Sequence, residues 1–219
     1  MLVLDTAPPQ VALPPVPVPF GKRALDVCLS GLGLMASSPV WLGLAALIKA
    51  EDHGPIFYTQ DRVGAGGRVF TVFKFRSMIP NAEAAVGALQ ATEDDPRITR
   101  MGRIMRATAM DELPQLLNIF RGDMSFVGPR ALRPGEIEAA DSGFIPLEEI
   151  PGYLERCRMR PGLTGVAQIY APRDVGRRHK FRYDRVYARR ASFWLDVRLI
   201  LLSFWITFRG RWEHRGNKI

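Results

Sequence analysis

Between Lys22-Arg23 and Lys49 the chain carries an uncharged run, Val27 to Ile48, of 22 residues. A run of that length is enough to cross a bilayer, so every fold open to this chain must bury it or put it in lipid. One transmembrane helix is the plain reading. Three features count against it. Ser37-Ser38-Pro39 lies near the middle, where proline removes an N–H and clashes with the preceding turn. Gly31, Gly33 and Gly43 loosen the helix further. Positive charge flanks both ends, so no crossing direction is favoured. A helix that goes in, breaks at Ser38-Pro39 and returns to the same face meets all three, with the Ser37 and Ser38 hydroxyls serving the bend. Residues 22–50 are therefore read as a re-entrant helix-break-helix. Ser38 and Pro39 form its bend, and Lys22 and Arg23 reach out to headgroups.

The flanks divide the rest. Residues 1–21 hold Pro8-Pro9 and Pro14-Pro15-Val16-Pro17-Val18-Pro19, a density that favours an extended, mobile tail. They lack the basic start and small-residue cleavage site of a signal peptide. Residues 51–212 are long enough for one domain with its own core, and 213–219 form a short tail. The net charge of +8 suits nucleic acid, anionic lipid or phosphorylated substrates. Arginines set around apolar stretches favour the membrane surface. Cys28 sits in the apolar run, so a disulfide with Cys157 is not expected and a reducing compartment fits. His53, His179 and His214 show no metal-ligand spacing.

Chemistry concentrates between Arg106 and Arg130. Asp111-Glu112 is followed by Leu113, Leu116, Leu117 and Phe120 at helical spacing, which predicts a short amphipathic helix. Asp111 is expected as its N-cap, with Pro114 in the first turn and Gly122 as the stop. The bland account of the acid pair is capping alone. Gly128-Pro129-Arg130 adds a turn that aims a guanidinium at the acids, and an arginine fork suits phosphate oxygens. Carboxylate, cation and phosphate together suggest magnesium-assisted phosphoryl chemistry.

These segments, Arg106-x4-Asp111-Glu112-Leu-Pro-Gln-Leu-x-Asn118 and Gly122-Asp-Met-Ser-x-Val-Gly-Pro-Arg130, resemble the bacterial sugar transferase family, the monotopic phosphoglycosyl transferases. The resemblance runs from Lys22 to about Phe208. It implies transfer of a sugar 1-phosphate from a UDP-sugar to polyprenyl (undecaprenyl) phosphate, releasing UMP, as the initiating step of exopolysaccharide, capsule, O-antigen or glycoprotein glycan assembly. It further implies Asp111 as nucleophile, Asp111 and Glu112 as Mg2+ ligands, and Arg106 and Arg130 on phosphate. It supports the re-entrant reading and places the catalytic domain on the cytoplasmic face of a bacterial inner membrane. The chain resembles the short form, without the extra transmembrane helices of longer members. Ala131 stands where many members have proline, and Ala109-Met110 where Ser-Leu is commoner; neither change removes a charge. Donor sugar and oligomeric state stay open. The rival is a non-enzymatic, basic, membrane-peripheral protein that binds anionic lipid or nucleic acid.

The remaining motifs are weighed in turn. Gly64-Ala65-Gly66-Gly67-Arg68 lacks the ending of a phosphate loop and reads as a hairpin turn. Val69–Met78 alternates as a strand with Lys74 and Arg76 on one face, either solvated or, by the resemblance, facing substrate. Asn81–Thr92 reads as a polar helix, Asp94 and Asp95 as structural, and Ile98–Arg106 as a short basic helix. Residues 133–156 suggest a helix-loop insert. Arg158 and Arg160 either reach phosphate or flank a turn. Residues 177–211 interleave arginine with aromatics, a pattern that also serves single-stranded nucleic acid. Leu199–Phe208 is too short to span, and reads as an interfacial helix with Arg198, Arg209 and Arg211 on phosphates, or as a core helix. The expected class is α/β of the α+β, helix-rich kind: one catalytic domain with a re-entrant helix, interfacial helices and no nucleic acid partner.

Overall fold

The structure is a computed structural model that describes residues 13–82, 95–140, 143–172 and 175–209. The first dozen residues, most of the expected helix at 81–92, Asp94, Arg211, His214 and the 213–219 tail lie outside the described residues. The apolar run forms α1, Phe20–Asp52, 33 residues long. It is not broken at Ser38-Pro39. Pro39 has no N–H to give the Met35 carbonyl, and the Ser38 hydroxyl donates to that same carbonyl at 2.8 Å. Trp41 Nε1 donates to the Ser37 hydroxyl at 3.0 Å. The hydroxyls do serve the proline, but by carrying the helix through it. Among the described residues α1 is the one helix long and apolar enough to cross a membrane, and little of its apolar length is buried.

Lys22 and Arg23 do not reach outward, as expected from sequence; both turn into the body. Lys22 Nζ donates to Asp196 Oδ2 at 2.7 Å and to the Val127 carbonyl at 2.9 Å. Arg23 donates to the carbonyls of Ile119 and Phe120 at 2.8 and 2.7 Å. Those carbonyls belong to the last turn of a helix and have no partner within it, so a guanidinium is a good cap. The expected mobile tail is also partly docked. The Val16 N–H donates to the Arg158 carbonyl at 2.8 Å, and Arg158 Nε donates to the Pro14 carbonyl at 3.3 Å.

Strands β1 (Phe57–Val63) and β2 (Val69–Phe75) pair antiparallel around the glycine turn, where Gly66 and Gly67 take positive φ of 72° and 80°. Helix α2, Arg100–Ala107, is capped by Thr99, and its first free N–H groups donate to the Glu51 carboxylate at the end of α1. Helix α3, Gln115–Arg121, stops at Gly122, whose φ of 99° suits a residue without Cβ. Strand β3, Ser125–Val127, pairs parallel with β6, Gly162–Thr164. The segment read as a helix-loop insert is instead a hairpin, β4 (Ile137–Ala140) with β5 (Gly143–Pro146), ahead of the short helix α4, Tyr153–Cys157. Val166–Tyr170 (α5), Arg177–Arg190 (α6) and Phe193–Phe208 (α7) complete the chain. The strands form three separate two-stranded sheets, so the α+β, helix-rich description holds.

The main core gathers Leu116 and Ile119 of α3, Phe126 and Val127 of β3, Tyr187 of α6 and Leu199 and Ile206 of α7. Each such side chain contributes about 1.5–3 kcal/mol on burial. A second cluster joins Leu44 and Ile48 of α1 to Phe75 and Met105. Helix α7 answers both alternatives raised for it. Leu199, Ile200 and Ile206 are core, whereas Trp194, Leu201, Phe204, Trp205 and Phe208 are bare. Leu32, Met35 and Leu42 of α1 are likewise exposed. Arg209 stacks on Trp205, 5.3 Å from the ring centroid.

Candidate active site

The acid pair owes its position to two backbone devices. After α2 the chain reverses at Ala109, with φ 55° and ψ 20°. A left-handed residue bearing a Cβ costs about 1–2 kcal/mol, and such strain tends to collect at functional sites. Then Pro114 lacks the N–H that would bond the Met110 carbonyl, so a regular helical ladder cannot run back through Asp111. The Leu113 N–H takes that carbonyl instead, at 3.2 Å. Met110–Glu112 therefore winds as a tight 3-10 turn, and α3 begins at Gln115. Asp111 is not the N-cap expected from sequence. It is buried within the turn.

Asn118, fully buried, fixes this turn against the hairpin. Its Nδ2 donates to the Thr71 carbonyl at 2.8 Å and its Oδ1 accepts from the Phe73 N–H at 3.2 Å. The side-chain amide thus pairs with the free edge of β2 as a neighbouring strand would. Lys74, next along β2, then meets Glu112: Nζ to Oε1 is 2.5 Å. Burial pushes the Glu112 pKa up, but Lys74 and Arg130 outweigh it and hold the carboxyl at about 2.

Arg130 arrives by backbone packing. A Cβ on Gly162 would stand 2.0 Å from the Gly128 nitrogen, and one on Gly165 would stand 2.3 Å from the Gly128 carbonyl oxygen. Two loops far apart in sequence are locked together wherever these glycines meet. Arg156 donates to the Arg130 carbonyl and pairs with Asp184 at 2.9 Å. Arg130 is thereby set in the wall of a shallow cleft. Arg62, Val72, Lys74, Glu112, Gln115 and Leu163 are among its other walls.

Of the residues singled out in sequence, the cleft brings together Glu112, Lys74 and Arg130, with Asp111 immediately before Glu112. Arg106, Arg76 and Arg160 are not among its lining residues. Arg106 ends α2 and faces Asp95, whose carboxyl is held at about 2 by Arg97 and, more weakly, by Arg106. That engagement supports the structural reading of Asp95. Arg76 does not join Lys74. It is buried against Asp52, and its Nε and Nη1 donate to the carbonyls of Pro55 and Met78. Arg160 is half-buried just before β6, in the field of Arg23, Asp26 and Asp123. Arg62 and Gln115 were missed. The signal available was Gln60 and Arg62 at alternate positions of β1, which share a polar face.

The described residues hold no cluster of three or more potential metal ligands. Asp111 and Glu112 supply carboxylate oxygens of the kind a magnesium ion takes one or two at a time, with its shell filled from phosphates and water, and Glu112 is here paired with Lys74.

Comparison with known proteins places the chain in a family. The profile of the family described as bacterial sugar transferase matches residues 18–210. A UDP-N-acetylgalactosamine-undecaprenyl-phosphate N-acetylgalactosaminephosphotransferase of Aeromonas hydrophila is 40% identical over 184 residues, 83% of this chain and 42% of that protein. A UDP-glucose:undecaprenyl-phosphate glucose-1-phosphate transferase of Caulobacter vibrioides is 40% identical over 203 residues, 90% of this chain and 73% of that protein. The exopolysaccharide production protein PSS of Rhizobium leguminosarum is 39% identical over 184 residues, 82% of this chain and 90% of that protein. The chain thus spans about two fifths of some of these relatives and most of others. A match this long, with the acid turn and both glycine-locked loops inside it, settles the lineage: the chain belongs to the bacterial sugar transferase family.

Proposed function

We propose that this chain transfers a sugar 1-phosphate from a UDP-sugar to a polyprenyl phosphate such as undecaprenyl phosphate, releasing UMP. The observation that carries the reading is Glu112, Lys74 and Arg130 together at one cleft, with buried Asp111 the residue before Glu112. The names of the relatives point to the same acceptor and to nucleotide-sugar donors. In the first step a carboxylate oxygen of Asp111 attacks the sugar-bearing phosphorus. The bridging P–O bond breaks, and its electron pair leaves with UMP. In the second step a phosphate oxygen of the lipid attacks the same phosphorus and frees Asp111. Splitting the transfer makes each half easier. Lys74 and Arg130 offset the repulsion between a carboxylate and an anionic phosphate. Asp111 and Glu112 would hold Mg2+, whose chemistry is to neutralise the diphosphate.

Membrane placement follows from α1. At 1.5 Å per residue it is about 50 Å long, well over the roughly 30 Å of a hydrocarbon core. Yet its two ends touch one body: Lys22 reaches Asp196, and Ile48 packs with Phe75 and Met105. A crossing helix would carry its ends to opposite faces, away from a body on one side. Contacts at both ends support a monotopic placement in which α1, unbroken at Pro39, and the bare face of α7 share one interface, with the body in the cytoplasm of a bacterial inner membrane.

UMP release from a panel of UDP-sugars, with magnesium and undecaprenyl phosphate, tests the reaction. Release with a donor, falling at least about a thousandfold in Asp111→Asn, is the expected result. Near-normal turnover in that variant would overturn the covalent route.

A further inference from the structure

The cleft holds more positive charge than its own carboxylates match. Lys74 is paired with Glu112, and Arg177 with Glu136. Among the described residues neither Arg62 nor Arg130 has a carboxylate in salt-bridge contact. Arg62 is held in place: its Nη2 donates to Gln60 Oε1 at 2.5 Å and its Nη1 to the Ala131 carbonyl at 3.3 Å. Both acceptors are neutral. Most of its N–H donors remain for something in the cleft it lines. Burial, with Arg130 and Arg133 close by, pulls its pKa down to about 10 against a smaller upward pull from Glu136. Gln115 gives an independent sign. It is 4% exposed and lines the same cleft, and its Nε2, near enough to Glu112 to help keep that carboxyl ionised, has no partner at ordinary hydrogen-bond geometry. A buried amide donor and a fixed guanidinium without a carboxylate in salt-bridge contact, lining one cleft, suit an anion with several oxygens.

We propose that Arg62, backed by Gln115, binds the phosphate that leaves with the nucleotide. This rests on the phosphoryl-transfer reading above. The layout of the cleft supports the assignment. Lys74 is already held by Glu112 at the acid turn, whereas Arg62 enters the same cleft from β1 with no carboxylate in salt-bridge contact among the described residues. The phosphorus under attack sits by the acid turn, and the next phosphate along falls to Arg62. As the bridging P–O bond breaks, the negative charge gathers on that phosphate. A guanidinium already fixed there stabilises it without reorganising.

The test is equilibrium binding of UMP, with uridine as control, to the full chain in detergent: wild type, Arg62→Gln and Arg62→Lys. Losing one charge-assisted contact should weaken UMP by about 10–100-fold, leave uridine unchanged, and be partly restored by lysine. Equal losses for UMP and uridine would mean that Arg62 only shapes the cleft, and would overturn the proposal. UMP affinity within about twofold of wild type would overturn it too, as would failure of wild type to bind UMP. If Arg62→Gln does not fold, Gln115→Leu decides, with a UMP-selective loss expected and an unchanged affinity fatal. Turnover separates the two readings. Normal turnover with an unchanged donor KM in Arg62→Gln removes the assignment and leaves the reaction. A UMP-selective loss in a chain that turns over no donor leaves the phosphate site and removes the reaction.

Discussion

Two pairs of cations in this chain have opposite fates. Lys22 and Arg23 open α1 beside apolar sequence, and both find acceptors in the body: Asp196 and the Val127 carbonyl for Lys22, the Ile119 and Phe120 carbonyls for Arg23. Arg62 and Arg130 sit at a cleft where no carboxylate pairs with them among the described residues. The first pair had looked like the headgroup anchors and proved to be internal latches. The difference teaches how to read a basic residue. A cation whose partners are supplied by the fold is holding the fold, and one left in excess in a walled cleft is held for something else. Lys74 stands between the two cases, at the cleft but already paired with Glu112.

That gradient can be broken at each step. Lys22→Met should have the largest effect on stability. It leaves the buried Asp196 carboxylate without its cation, a loss of about 3–5 kcal/mol that would appear in the urea midpoint; a loss under about 1 kcal/mol would show that the latch is not structural. Next comes the Lys74–Glu112 pair. Glu112→Gln should cost about 2 kcal/mol at neutral pH, the worth of a charge-assisted hydrogen bond. Because the folded pKa is depressed from its ordinary 4.5 to about 2, this contribution is complete above 4.5 and fades as pH falls through about 2. The gap between wild type and Glu112→Gln should therefore close on acidification, and a gap that widens would contradict the pairing. Arg130→Gln should move stability least, within about 0.5 kcal/mol, while donor turnover falls sharply. A large drop in melting temperature would place Arg130 with the latches.

Much of the site could be read in the chain. Asp111-Glu112, Lys74 and Arg130 were picked out by spacing and by resemblance, and three of the four line one cleft. The hairpin turn at Gly64–Arg68, the stop at Gly122 and the apolar run of α1 followed from local rules that involve only near neighbours. Arg76 shows the limit. Its alternation with Lys74 was correct as pattern, but Asp52 at the end of α1 captures it, and no local rule says which carboxylate will be within reach. The 133–156 segment fails for a related reason. Its composition tolerates helix, and the β4–β5 pairing decides.

By itself the sequence determined the kinds of chemistry present: an acid pair, surplus arginine, a proline-bearing apolar helix and glycines where loops must touch. Tertiary structure alone decided which cation meets which acceptor. Lys22 bonds a residue 174 positions away, and Gly128 admits Gly162 at a distance no Cβ allows. Helical and strand periodicities report only which face a residue shares with its near neighbours. A charge bonds to whatever the folded chain brings within about 3 Å, and that distance exists only after folding.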